Sequence, residues 1–194
     1  MDWQDLYDRH WAGHETVARA TRDTLGQPFG RLVRVSLRSL KSGGKLIFFG
    51  NGGSAGDAQH LATELTVRYD RDRPAIAAIA LTTDTSALTA IGNDMGFERL
   101  FARQVEALGR KGDVAIGIST SGRSANVTAA LKEAKSRGLV AAALAGRDGG
   151  DLVGVADPLL VVPSQVTAHI QEMHITLGQM LCDAIQRGLG LVRE

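Results

Sequence analysis

Two short stretches of this chain combine glycines with hydroxyl side chains in a way that suits an anion. Gly50-Asn51-Gly52-Gly53-Ser54 follows the apolar run Leu46–Phe49 and precedes a helical pattern. Glycines there remove the Cβ that would keep backbone N–H groups from pointing at a ligand. The new helix adds its positive end, and Ser54 offers a hydroxyl. Ser119-Thr120-Ser121-Gly122-Arg123-Ser124 stands in the same relation to Val114–Ile118, with four hydroxyls in six residues. Such a loop can surround a phosphate without fixed charge, which suits a ligand that enters and leaves repeatedly. Taken singly, each stretch also reads as a tight turn or a capped helix start. Two of them at successive strand ends favour a phosphate.

Beyond the first loop, His60 and Glu64 lie four residues apart on the same helix and share a face. The pair can bind a metal, or His60 can orient Glu64 for proton transfer; the plain alternative is a surface contact. The last helical stretch carries Gln171-Glu172-Met173-His174 and, eight residues after Gln171, Gln179. Eight residues turn about 80° beyond two full turns, so both glutamines lie broadly on one side. Gly50, Gly52 and Ala55 also match a loose dinucleotide fingerprint. However, no acidic residue ends the Ile76–Leu81 run at the required distance, Asp84 coming too late. No G-K-[ST] follows either, so the nucleotide P-loop fails and a phosphate without a nucleotide remains.

The elements that must position these residues are legible as alternating patterns. Apolar runs at Leu46–Gly50, Ile76–Leu81, Val114–Ser119, Val140–Leu144 and Leu159–Val162 lack polar alternation. Helical patterns at Ala55–Arg68, Thr85–Ile91, Glu98–Gly109, Ser124–Arg137, Gly149–Val155 and Gln165–Leu189 separate or follow them. That alternation predicts an α/β fold with a five-stranded parallel sheet covered on both faces, and ligands beyond the carboxyl ends of its strands. Ahead of it, residues 1–42 form an N-terminal helical segment in two pieces separated around Gly26-Gln27-Pro28, with residues 43–194 as the core of a single domain. The apolar faces of those helices need covering by a partner subunit or by the chain's own core.

Bulk composition narrows the class. The 194 residues are 44% hydrophobic and 22% charged, with a formal net charge of +1. Lys and Arg are dispersed, which argues against direct nucleic-acid binding. Cys182 is the only cysteine, so an internal disulfide and a multi-cysteine zinc site are excluded. With no apolar run near the length of a membrane span and a polar start unlike a signal peptide, a cytoplasmic location is expected.

With these motifs assembled, the chain resembles the sugar isomerase (SIS) superfamily and, within it, the phosphoheptose isomerases. GNGGSAGDAQHLATEL, DRP, LTTDTSALTAIGND, GDVAIGISTSGRSANV, GRDGGDL and IQEMH carry the likeness. It implies a flavodoxin-like αβα sandwich, a homotetramer with active sites between subunits, and zinc. It also implies isomerisation of sedoheptulose 7-phosphate through an enediol, for lipopolysaccharide or another surface glycan. Substrate contacts implied are Asn51, Gly52, Gly53, Ser54, Glu64, Asn93, Asp94, Ser119, Thr120, Ser121, Ser124 and Gln171. Zinc would be held by His60, Glu64, Gln171 and the residue at 179, with Glu64 and residue 179 as the catalytic pair.

At that last position the family pattern carries histidine and this chain carries Gln179. An amide cannot act as a base near neutral pH, although its carbonyl can still face a metal. Three readings follow: an engineered substitution, a natural variant in which Glu64 makes both proton transfers, or a non-catalytic phosphosugar- or protein-binding homologue. His174, three residues after Gln171, cannot stand in for a residue at 179 and reads as a supporting residue or a subunit contact. Cys182 reads as packing.

Overall fold

The computed structural model describes residues 1–192. Five strands, β1 (Leu46–Gly50), β2 (Ala78–Ala80), β3 (Val114–Ser119), β4 (Val140–Gly146) and β5 (Leu159–Val162), form one all-parallel sheet in the order β2-β1-β3-β4-β5. Every residue of β1 and β3 is buried, as continuous apolar runs in a doubly covered sheet require. Alternate side chains go to opposite faces. Leu46 and Phe48 join one core with Leu61, Leu65, Ile170 and Leu177, while Ile47 and Phe49 join the other with Val105, Val127 and Leu131.

Those two cores sort the helices. α1 (Trp3–Lys41), α2 (Gly53–Thr66) and α6 (Thr167–Gly188) cover one face of the sheet. α3 (Thr85–Asp94), α4 (Ala102–Leu108) and α5 (Ala125–Ser136) cover the other. The chain leaves β1 for the edge strand β2 and then returns to β3 on the far side of β1. The crevice between β1 and β3 is therefore the topological switch point, where ligands of such sheets bind. Register pairs Gly50 with Ile118, so the two strands end side by side and both loops open on that crevice.

Three expectations need correction. The N-terminal segment is one 39-residue helix rather than two, with Pro28 inside it. Proline forfeits a helical hydrogen bond at a cost of about 3 kcal/mol in a helix interior. The buried stripe Thr21, Leu25, Leu32, Ser36 and Ser39 continues across the proline, and its packing outweighs that cost. The helix expected at Gly149–Val155 is only a single 3₁₀ turn, Gly150–Leu152, because Gly149, Gly150 and Gly154 all take positive φ. Glu98–Gly109 is likewise a 3₁₀ turn at Phe97–Arg99 followed by α4.

Candidate active site

Gly52, at the start of α2, has φ +55° and ψ −122°, a conformation that favours glycine, and no side chain caps this helix. Ser124, which precedes α5, does not cap its helix either; its hydroxyl lies 3.0 Å from that of Ser119. Two helix N-termini without side-chain caps thus open their positive ends on the switch-point crevice, while the Ser54 and Val127 N–H groups already donate to the Asn51 and Ser124 carbonyls at 3.0 Å. Ser54 and Ser119 are buried in the walls, and the Ser121 hydroxyl accepts from the Arg123 N–H at 3.1 Å.

The loops are tied across the sheet. Asn51 Nδ2 donates to Asn126 Oδ1 at 2.8 Å, and Asn126 Nδ2 donates back to Asn51 Oδ1 at 2.9 Å. Arg123 makes a two-pronged contact with Asp148, at 2.8 and 2.7 Å, which joins the β3 loop to the β4 loop. The Arg123 guanidinium holds the Asp148 carboxyl far below the usual range, with the Gly150 N–H assisting. Gly122 packs so closely on Gly149 that a Cβ would come within 2.2 Å of the Gly149 carbonyl oxygen.

α2 carries the reactive groups away from this cradle. Gly53, Asp57, His60 and Glu64 fall at i, i+4, i+7 and i+11, within about 60° of one another on the helix. α6 packs along that stripe. A Cβ on Gly53 would lie 2.5 Å from Gln171 Nε2, so glycine makes room for that amide. Farther along, Gln179 Nε2 is 3.5 Å from His60 Nε2, which is itself 3.0 Å from Glu64 Oε1. If His60 Nε2 donates to Glu64 it cannot also accept from an amide N–H. The shorter, charge-assisted contact prevails, and Gln179 is a neighbour whose carbonyl can turn inward. The Glu64 side chain is 21% exposed against 45% for His60. Arg73, from the DRP segment, donates to the Glu64 and Leu65 carbonyls and so closes the carboxyl end of α2.

The structure therefore brings together Asn51, Gly52, Gly53, Ser54, Ser119, Thr120, Ser121 and Ser124 as one cradle, with His60, Glu64, Gln171 and Gln179 along the α2–α6 seam. Asn93 and Asp94 are exposed at the end of α3 and bonded to each other at 2.7 Å. His174 is not a surface contact. It is fully buried, with Nε2 3.0 Å from the Ala145 carbonyl oxygen, and burial pushes its pKa down to about 4. Cys182 packs in the core, as expected.

Two residues escaped the sequence reading. Asn126 sits inside the quoted motif GDVAIGISTSGRSANV but contacts a residue 75 positions away. Asp57 carries a buried carboxylate oxygen, Oδ2, with no donor among the described residues, and burial raises its pKa against the lowering effect of His60. The repeat of acidic and histidine positions on one helical stripe was the available signal.

The chemistry of the seam can be tested against zinc. It offers the His60 imidazole, the Glu64 carboxylate and the Gln171 and Gln179 amide carbonyls, with the Asp57 carboxylate farther back on the same stripe; the first four are enough donors for a four-coordinate ion. No group of three His, Cys, Asp or Glu side chains able to hold a metal stands together among the described residues. The set thus fits a divalent cation gripped mainly by His60 and Glu64, more loosely than a second imidazole would allow.

The family described as the SIS domain matches residues 12–146. A curated phosphoheptose isomerase of Paramagnetospirillum magneticum is 58% identical over 96% of this chain and 97% of its own length. The solved phosphoheptose isomerase of Neisseria gonorrhoeae superposes with a TM-score of 0.90 at 46% identity, covering 96% of this chain and all of that one. That of Francisella tularensis gives 0.93 at 35% identity over the same shares.

Proposed function

This chain belongs to the phosphoheptose isomerases of the SIS-domain family, and from that premise we propose how its residues do the work. It is an aldose–ketose isomerase acting on a seven-carbon sugar phosphate. We assign D-sedoheptulose 7-phosphate as the ketose and D-glycero-D-manno-heptose 7-phosphate as the aldose. The observation that carries the reading is the pairing of one cross-tied hydroxyl and N–H cradle with Glu64 on the helix leaving it.

The phosphoryl group sits between Asn51–Ser54 and Ser119–Ser124, where two helix N-termini and the hydroxyls neutralise its charge. Seven residues of helix, roughly 10 Å, separate Gly53 from His60, a span that an extended phosphosugar covers. Its carbonyl end then lies along the His60–Glu64 part of the stripe. The Glu64 carboxylate lifts the proton from C1 of the ketose, leaving an enediol. The same carboxyl, its proton exchanging with water while the enediol stands, then delivers a proton to C2, and the hydroxyl proton passes from O1 to O2. His60, 3.0 Å from Glu64, holds the carboxylate in place. Gln171, over Gly53, and Gln179, beside His60, orient sugar oxygens through their amides. His60 and Glu64, with the Gln171 and Gln179 carbonyls, are the groups that would hold zinc; the ion would act as a Lewis acid on the sugar oxygens.

Asn93 and Asp94 enter the reading as contacts made within a homotetramer, whose sites lie between subunits. What supports that assembly is the uncovered apolar surface: Trp3, Tyr7 and Trp11 are exposed along α1, and Met180 is exposed beside a groove lined by Leu25, Phe29 and Leu177. A cytoplasmic enzyme supplying heptose for lipopolysaccharide or another surface glycan completes the proposal. Among the described residues no helix is long and apolar enough to cross a membrane.

The test is isomerisation of sedoheptulose 7-phosphate in deuterated water, with the unaltered protein beside its Gln179→His variant. Deuterium at C2 of the aldose formed by the unaltered protein is expected. Exchange that begins only with the variant would replace this reading with that of a phosphosugar-binding homologue.

A further inference from the structure

We propose that Asn126 is a positioning residue for the phosphate end of the substrate, acting through its reciprocal amide pair with Asn51. The proposal rests on the phosphate reading of the cradle. Asn126 is 3% exposed and lies in the first turn of α5; Asn51 is the first residue after β1. The two amides meet head to head, each donating to the other at 2.8 and 2.9 Å. Asn51 thus commits one amide N–H and one carbonyl lone pair to the opposite loop, which fixes its backbone beside the glycines. The Gly52 and Gly53 N–H groups follow immediately, and the Ser54 N–H turns back to the Asn51 carbonyl at 3.0 Å, so the amide pair sets where the glycine N–H groups point relative to the hydroxyls of the β3 loop.

A cradle assembled from two loops binds well only if their donors are held in register before the ligand arrives. No backbone hydrogen bond joins residues 51–54 to residues 119–124 among the described turn and loop contacts. The sheet fixes the two loops at their roots, through Gly50 and Ile118, and the amide pair fixes them above the sheet. A neutral clasp is also suited to a phosphate site, because a carboxylate in either place would repel the ligand.

The experiment uses the Glu64→Gln protein, expected to hold the ketose phosphate with turnover slowed, alone and with Asn51→Ala, Asn126→Ala or both. Calorimetry measures Kd for sedoheptulose 7-phosphate and for unphosphorylated sedoheptulose. Each single change is expected to raise Kd for the phosphate about tenfold, the size of one or two lost positioning bonds. The double change should be no worse than the weaker-binding single change, since both cut the same clasp. Affinity for sedoheptulose should stay constant across the series. Unchanged Kd in both singles, or losses that multiply in the double, overturns the clasp and leaves the phosphate reading standing. A starting protein that binds both sugars equally overturns that reading and the clasp together. Should Asn126→Ala not fold, Asn51→Ala severs the same pair from the loop side, and an unchanged Kd there overturns the clasp by itself.

Discussion

The cradle and the α2–α6 seam are adjacent, yet they are built to different standards. The cradle is closed by the chain's own bonds: a reciprocal amide pair, the two-pronged Arg123–Asp148 contact, and the Asp151 N–H donating to the Gly122 carbonyl at 2.9 Å. The seam holds one firm contact, His60 to Glu64 at 3.0 Å, with an amide 3.5 Å from the imidazole and a donor-less carboxylate oxygen on Asp57. Binding geometry is set before the ligand arrives. Reaction geometry is not closed by bonds of that kind among the described residues. The difference separates affinity from turnover, so changes in one region should move mainly one of them.

The largest separation is expected at the seam. Glu64→Gln should lower kcat by about 10³-fold or more while Kd for the ketose phosphate moves little, as loss of a general acid–base group does. Steady-state rates beside calorimetry on the same protein check it, and equal losses in both would erase the division between the regions.

His174 joins the two regions by pinning α6 to the end of β4, and its effect should be on stability. Burial holds its folded pKa at about 4, below the ordinary histidine value of 6.5, so the unfolded chain binds a proton that the folded chain refuses. The contribution is complete above pH 6.5 and is lost as pH falls toward 4, with an upper bound of about 3 kcal/mol. Thermal melts across that window should show a falling Tm that is shallower in His174→Gln than in the parent at the same pH values.

Gln179→His should sharpen the seam rather than the cradle. A second imidazole next to His60 gives zinc a better donor than an amide. Metal analysis after gel filtration should find more zinc retained by the variant than by the parent, with Kd for the phosphosugar nearly constant in metal-free buffer.

The smallest effect belongs to the cradle's outer tie. Arg123 and Asp148 are both exposed, and exposed ion pairs contribute little. Arg123→Ala should raise KM by only ~3-fold and leave kcat alone. A larger change in kcat than in KM would show that the β4 loop reaches the reacting atoms.

How much of this was legible depends on how local each signal is. β1, β3 and β5 were read to their residues because continuous apolar runs end at glycine, serine or proline. The Ile76–Leu81 run shortens to Ala78–Ala80 because β2 is an edge strand with a single neighbour. Pro28 misled because local cost was weighed without the buried stripe on either side of it. The two anion loops declared themselves through glycine and serine chemistry within six residues. Their ties did not: Asn51 and Asn126 are 75 residues apart, and Arg123 and Asp148 are 25 apart. No local pattern encodes such pairs. Asn93 and Asp94 came from resemblance alone, since no glycine, hydroxyl or helical-spacing pattern marks them.

The most direct measurement is a crystal structure of the Glu64→Gln protein with sedoheptulose 7-phosphate. The phosphoryl group should lie between residues 51–54 and 119–124, with C1 and C2 about 3 Å from the side chain at position 64. A phosphoryl group bound elsewhere, or a sugar whose C1 and C2 turn away from that side chain, would contradict the account.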